Sequence, residues 1–402
     1  MHIESIRKDF PPLSEGLIYL DNAATTLTPK PVIEALASYY SYYRANPLRS
    51  VHLAAKRAED KLNEARRTCA SFINASEREV VFTRNTTEGL NVIANGLNLG
   101  ESGGNIVVTA LEHHSNFLPW MRKCQKEKRE LRIVFPKRDD GVITADDFAE
   151  KVDDQTLLVA FTHVSNVLGT VLPVEDIVKI AREKNAYTVL DAAQSAPHLK
   201  IDVKRLGVDF LAFSGHKICG PTGSGILYIQ DTCFDKVEPV FVGGGSITDV
   251  ETTHFDYAEP PSKFEAGTIA YCEAMALADA LKYVSQIGFD NILSHDRELI
   301  KLAHELIGNI QGVEIYGPSP DDKTSILAFN IDGLDPSEVA MILDSTSGIE
   351  VRSGHLCAQV CTKRVLGQPD GVVRVSSYFY NTEGEIIKLA DTIKYIVDTM
   401  VL

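Results

Sequence analysis

The chain has 402 residues, 44% of them hydrophobic and 24% charged, a balance typical of folded globular proteins and foreign to disordered ones. Lys and Arg total 40 against 55 Asp and Glu, a net charge of −15. The electrostatic footprint of a nucleic-acid binder is therefore missing, and any anionic ligand must be held by a few oriented local donors.

Met1 to Phe10 carries charges throughout, so no signal peptide is expected there. No apolar run nears the roughly 20 residues of a membrane span, so no membrane partner is expected either. The seven cysteines are odd in number and mostly isolated, which reads as reduced thiols in a cytoplasmic protein. At this length two domains are the default.

From about residue 80 to 230, short β-rich runs alternate with helical patterns. Candidate strands are 80–83, 106–109, 132–135, 157–161, 188–190 and 210–213. Between them Val174, Ile177, Val178 and Ala181 follow the i, i+3, i+4, i+7 spacing of an amphipathic helix. The alternation predicts an α/β fold with a mostly parallel sheet and helices on both faces. Residues 223–229 follow the previous strand too closely for a helical crossover and read as an antiparallel or irregularly connected strand.

Residues 271–310 read as two helices, after which a second α/β pattern begins. It has strands at 325–330, 349–351 and 372–375, a helix from Pro336 to Leu343, and a closing helix with Ile386, Leu389, Ala390, Ile393 and Ile396 on one face. The expected division is a large domain over 15–285 and a smaller C-terminal α/β domain over 286–402, with residues 1–14 packing on the small one.

Three polar clusters fall where predicted strands of the large domain end, which is the ligand-binding edge of an open α/β sheet. Arg84-Asn85-Thr86-Thr87-Glu88-Gly89 opens a helix, so its hydroxyls either cap that helix in the ordinary way or hold an anion. Asp191 closes an apolar strand, and a buried carboxylate wants a cation, either a local Arg or Lys or a protonated ring nitrogen. Ser214-Gly215-His216-Lys217 follows the strand at 210–213. A lysine there is either a turn residue or a desolvated amine fit for Schiff-base chemistry. Together the three supply what pyridoxal phosphate needs: an amine for its aldehyde, a partner for its pyridine nitrogen and donors for its phosphate. A nucleotide site fits worse, because no Gly-x-Gly-x-x-Gly follows the first strand and no Walker lysine loop is present.

In the C-terminal region Cys357 follows Arg352-Ser353-Gly354-His355-Leu356. On position alone it is as readily a buried structural cysteine as an exposed nucleophile. His355, Cys357 and Cys361 lack a fourth ligand of suitable spacing, so no metal site is expected.

The ordered series of motifs resembles the class V aminotransferase-like enzymes of fold type I, and within them the Suf-type (group II) cysteine desulfurases and selenocysteine lyases. The likeness rests on Tyr19-Leu20-Asp21-Asn22-Ala23-Ala24, Glu112-His113-His114-Ser115-Asn116, Thr162-His163-Val164-Ser165-Asn166, Ser214-Gly215-His216-Lys217, Phe264-Glu265-Ala266-Gly267-Thr268, the run from Arg352 to Ala358, and Arg374. It implies that Lys217 bonds the cofactor aldehyde, Asp191 faces the pyridine nitrogen and His113 stacks on the ring. It also implies that Gln194 and Asn166 serve the ring hydroxyl side. Phosphate donors would be Thr87 with the adjacent backbone at Glu88, Ser214 and His216, joined by Thr268 across a homodimer interface.

For the substrate, the resemblance implies that Arg374 grips the carboxylate, with Arg352 and Asn166 beside it, and that Cys357 is the nucleophile. Arg352, His355 and Arg374 are candidates for the positive charge around that thiol. The implied activity converts L-cysteine to L-alanine, with a persulfide on Cys357 destined for a sulfur-acceptor protein of iron–sulfur cluster or related biosynthesis. Lys217 would move the α-proton, and His113 would be a further proton donor or acceptor. Selenocysteine β-lyase, an aminotransferase or epimerase on the same scaffold, and a non-catalytic sulfur carrier are the alternatives. The chain departs from the family's habit in having His355-Leu356 where two histidines often precede the cysteine, and Gln359-Val360-Cys361 where a proline often follows it. The short interval from Cys357 to Arg374 implies a short catalytic loop and slow turnover without a partner.

Overall fold

The computed structural model describes residues 2–47, 52–101, 103–137 and 140–400. Its centre is a seven-stranded sheet. In spatial order the strands are Val80–Thr83, Gly225–Ile229, Phe210–Ser214, Tyr187–Asp191, Thr156–Thr162, Asn105–Thr109 and Glu130–Val134. Six of them run in the same direction, and Gly225–Ile229 alone is reversed, pairing antiparallel with both of its neighbours. The short link that forbade a helical crossover before residue 225 has this consequence.

Alternation along the parallel strands explains why both sheet faces are covered. Val107, Val159, Phe161, Leu190, Leu211 and Phe213 enter one core. Their neighbours Ile106, Val108, Leu158, Ala160, Val189, Phe210 and Ala212 enter another. Helices on the two faces, among them Thr86–Gly96, His114–Glu127 and Val174–Glu183, close these cores.

A four-stranded antiparallel sheet lies beyond the Tyr271–Ile287 and Phe289–Gly308 helices. Its order is Val313–Tyr316, Ile326–Ile331, Val372–Ser376 and Arg352–Gly354. Its own core joins Leu327, Phe329, Val373 and Val375 to Leu299 and Ile307 of the preceding helix and to Ile386, Leu389, Ile393 and Ile396 of the closing Glu383–Met400 helix. The N-terminal segment reaches this region as well. Arg7 pairs with Glu385 at 2.9 Å, and Ile18–Tyr19 runs parallel to Ile349–Glu350. Among the described residues no helix is long and apolar enough to cross a membrane.

The order of the large sheet changes direction beside Asn105–Thr109, whose successor lies on one side and Thr156–Thr162 on the other. Such a switch point opens a crevice at the carboxyl ends of the strands. The buried Glu112 spans it, accepting from the Thr109 hydroxyl at 2.6 Å, the Asn116 amide at 2.7 Å and the Thr162 backbone N–H at 3.0 Å.

Candidate active site

A cavity of about 480 Å³ sits over that edge. Strand ends of the large sheet supply one wall and the segment from Arg352 to Arg374 the other. Its lining brings together Lys217, Asp191, Gln194, Asn166, Thr87, His113, Ser214, His216, Arg352, Arg374 and Cys357. Residues spread over 287 positions of sequence thus meet in one space.

The sheet wall is set by strand geometry. Phe210–Ser214 ends in a tight turn at Gly215, where a Cβ would lie 2.2 Å from the Ser224 hydroxyl, and this turn delivers His216 and Lys217 to the cavity. Burial brings the Lys217 ammonium down to about 8, partly countered by the Asp191 carboxylate. Asp191 ends its own strand, is buried, and accepts the Ala193 N–H at 2.9 Å. Burial pushes its carboxyl upward, while that N–H and Lys217 pull it back. His113 is held neutral, because burial and then Lys217 bring it down to about 3. Its Nδ1 accepts from the Ser115 N–H at 3.1 Å, which leaves the ring proton on Nε2.

Two helix N-termini, those of Thr86–Gly96 and His114–Glu127, face the same end of the cavity. The Thr87 and Ser115 hydroxyls meet there at 2.7 Å. Ser214 accepts the Thr86 N–H at 2.8 Å, and its hydroxyl pairs with that of Thr86 at 2.6 Å. The hydroxyls of Thr86, Thr87, Ser115 and Ser214 and the neutral His216, which burial takes down to about 4, form an anion cradle at the positive ends of these helices. The cap of the first helix is neither threonine: Asn85 accepts the Glu88 N–H at 2.9 Å.

Two expected cofactor residues fall outside the cavity. The backbone N–H of Glu88 is spent on Asn85, and its carboxylate turns away to Arg84, which it meets at 3.0 Å. This residue corrects the expectation of a phosphate donor. Thr268 lines a separate cavity of about 440 Å³ with Arg84, Phe241 and Glu265. Thr86, a hydroxyl of the cap-or-anion cluster, lines the first cavity, as do Asn85 and Ser115, to which the sequence assigns no role of their own. The polar run after Asn105–Thr109 was the available signal for Ser115.

The opposite wall carries the thiol. Cys357 is exposed and the other six cysteines are buried. Burial pushes the Cys361 thiol up to about 12, so it is a packed, un-ionised neighbour. Leu356 and Cys357 both adopt positive φ, 54° and 55°, a left-handed conformation costing about 1–2 kcal/mol per side-chain-bearing residue. Contacts to the other wall hold the loop in this shape. The Leu356 carbonyl accepts from Asn166 at 2.8 Å and the Cys357 carbonyl from the His114 N–H at 2.7 Å. His114 Nε2 accepts from the Gln359 N–H at 3.3 Å. His355 Nδ1 engages the Thr362 hydroxyl at 2.8 Å instead of the thiol. The Asn166 amide nitrogen is thereby used, which leaves its buried, unpartnered Oδ1 as an acceptor.

Arg374 is 3% exposed. It donates to the Asn166 carbonyl at 2.9 Å and to Asp21 at 2.8 Å, and its Nε has no partner.

A mixed, mainly parallel sheet with a strand-end lysine, a buried carboxylate and a helix-end anion cradle defines a class of protein, and comparison with known families agrees. Residues 18–389 match the aminotransferase class-V model, and the chain belongs to that family. Within it, the chain is 44% identical to a probable cysteine desulfurase of Pyrococcus abyssi, over 99% of this chain and 98% of that one. It is 42% identical to a probable cysteine desulfurase of Methanothermobacter thermautotrophicus, with 98% of each chain covered. The apo structure of the cysteine desulfurase from Thermococcus onnurineus NA1 superposes with a TM-score of 0.95 at 42% identity, covering 99% of this chain and 98% of that one.

Proposed function

We propose that the chain is a pyridoxal-phosphate-dependent cysteine desulfurase. The observation that carries this reading is the meeting, in one cavity, of a strand-end lysine with depressed basicity and an exposed cysteine on the facing wall. The full-length likeness to cysteine desulfurases supports it.

The residues present fit the cofactor. Lys217 offers an amine that is partly neutral near neutral pH, as bond formation with an aldehyde requires. Asp191 is a buried carboxylate with a single backbone donor, so it has capacity left for a ring N–H. Thr86, Thr87, Ser115, Ser214 and His216 surround a place for a phosphate. When bound, pyridoxal phosphate supplies an electron sink that weakens bonds around the substrate's α-carbon.

The remaining work falls to side chains. The substrate carboxylate takes the remaining terminal N–H groups of Arg374, whose planar fork fixes the orientation of the amino acid. Lys217, freed as an amine, carries the α-proton. The neutral His113, with its proton on Nε2, is placed as a second proton carrier. Cys357 Sγ forms a bond to the substrate sulfur while the substrate's carbon–sulfur bond breaks, and the three-carbon skeleton leaves as alanine. The sulfur stays on Cys357 as a persulfide, exposed to a thiol acceptor. Sulfur-acceptor protein, homodimer and a cytoplasmic setting belong to the same reading. So do Thr268 reaching a neighbouring copy's phosphate and the division at about residue 285.

Incubation with L-cysteine and a thiol reductant tests the function. Alanine and sulfide are expected to accumulate in equal amounts. A protein that yields keto acid, or racemised cysteine without sulfide, contradicts the reading.

A further inference from the structure

Asp21 sits behind the cavity wall at an isolated bridge to Ser376, two residues past Arg374. Its carboxylate joins two guanidiniums of opposite character. One oxygen meets the buried Arg374 at 2.8 Å, and the other meets Arg352 at 3.0 Å, whose side chain is 52% exposed. Both arginines line the cavity and Asp21 does not. Asp21 therefore reaches a ligand only through its two partners.

The geometry shows what this does to the site. A guanidinium has five N–H donors. Arg374 spends one Nη1 donor on Asn166 and one Nη2 donor on Asp21, and each terminal nitrogen carries a second N–H for an incoming carboxylate. Asp21 can thus stay in place while substrate binds. Two arginines minus one carboxylate leave a single positive charge in this corner, which matches an amino acid with one carboxylate and a neutral side chain. Without Asp21 the exposed Arg352, which shares the cavity with Cys357, would offer a second full charge where the substrate's side chain must point.

We infer that Asp21 is a positioning and specificity-setting residue, one that holds the Arg374 guanidinium for the α-carboxylate and masks Arg352 so that amino acids with an anionic side chain are disfavoured. The substrate part of this inference rests on the proposed function. The electrostatic part does not.

The test uses the purified protein with its cofactor, as wild type, Asp21→Asn, Asp21→Glu and Arg352→Gln. Cys357 is the exposed thiol among seven free cysteines. Its alkylation rate by anionic iodoacetate relative to neutral iodoacetamide therefore reads the local charge. At low ionic strength Asp21→Asn should raise this ratio about threefold or more. Asp21→Glu should leave it near wild type, and Arg352→Gln should lower it. In equilibrium binding, Asp21→Asn should also improve L-aspartate relative to L-alanine by about tenfold. An unchanged reagent ratio in a folded Asp21→Asn protein overturns the inference. If that variant does not fold, an unchanged ratio in Arg352→Gln overturns it. Altered alkylation in a protein that makes no alanine from cysteine would instead count against the proposed function alone. Altered alkylation with unchanged aspartate discrimination would overturn the specificity role.

Discussion

The two walls of the cavity are built on different principles. On the sheet wall, Asp191 and Lys217 are delivered by strand ends whose flanking residues lie in fully buried cores, so position is set by the fold itself. The thiol wall is a short loop in strained left-handed backbone, kept in shape by hydrogen bonds to Asn166 and His114 across the cavity. A rigid wall suits a group that must be aligned once and kept. A wall held by a few bonds of about 1 kcal/mol each suits a thiol that meets substrate on one side and an acceptor on the other.

Substitutions should separate the walls. The largest effect is expected at Lys217→Ala, which should remove the yellow cofactor band and lower alanine production by at least about a thousandfold. Asp191→Asn should follow, with cofactor still taken up and turnover down roughly a hundredfold. To loosen the thiol wall, Asn166→Ala, which removes its tie from the sheet side, should leave the cofactor spectrum close to wild type while slowing sulfide release roughly five- to tenfold, the equivalent of one lost hydrogen bond. Comparable cofactor loss in this variant would erase the distinction between the walls.

The smallest and most diagnostic effect is the pH dependence. Only the neutral amine of Lys217 attacks an aldehyde, and its ammonium titrates at about 8. Uptake of pyridoxal phosphate by the apoprotein should therefore accelerate as pH rises towards 8 and level off above it, followed by absorbance. His113 titrates at about 3 and stays neutral throughout, so no inflection from its charge is expected between pH 5 and 9.

The contrast also explains what could be read without coordinates. The sheet wall was legible because chemistry and periodicity coincide: an apolar run followed at once by Asp191, or by Ser214 to Lys217, marks a strand end and a reactive group together. Local reading failed where two neighbours compete for one role. Asn85 took the cap that Thr86 and Thr87 had seemed equally fit to provide, and its demand on the Glu88 N–H withdrew that residue from the cradle. It failed again where the partner is remote. Nothing near Asp21 announces Arg374, 353 positions away, and only the fold brings them to 2.8 Å. Cys357 was ambiguous for a related reason, since the exposure that separates nucleophile from packing residue depends on a loop folded against His114.

Sulfur transfer to Cys357 is the central claim, and mass spectrometry of the protein after brief exposure to L-cysteine tests it most directly. The account predicts one added sulfur atom on the peptide carrying Cys357, discharged by reductant as sulfide. It also predicts a Cys357→Ala protein that keeps its cofactor band yet releases almost no sulfide. Sulfide release by Cys357→Ala at the wild-type rate, with no sulfur found on Cys357 in the unaltered chain, would contradict it.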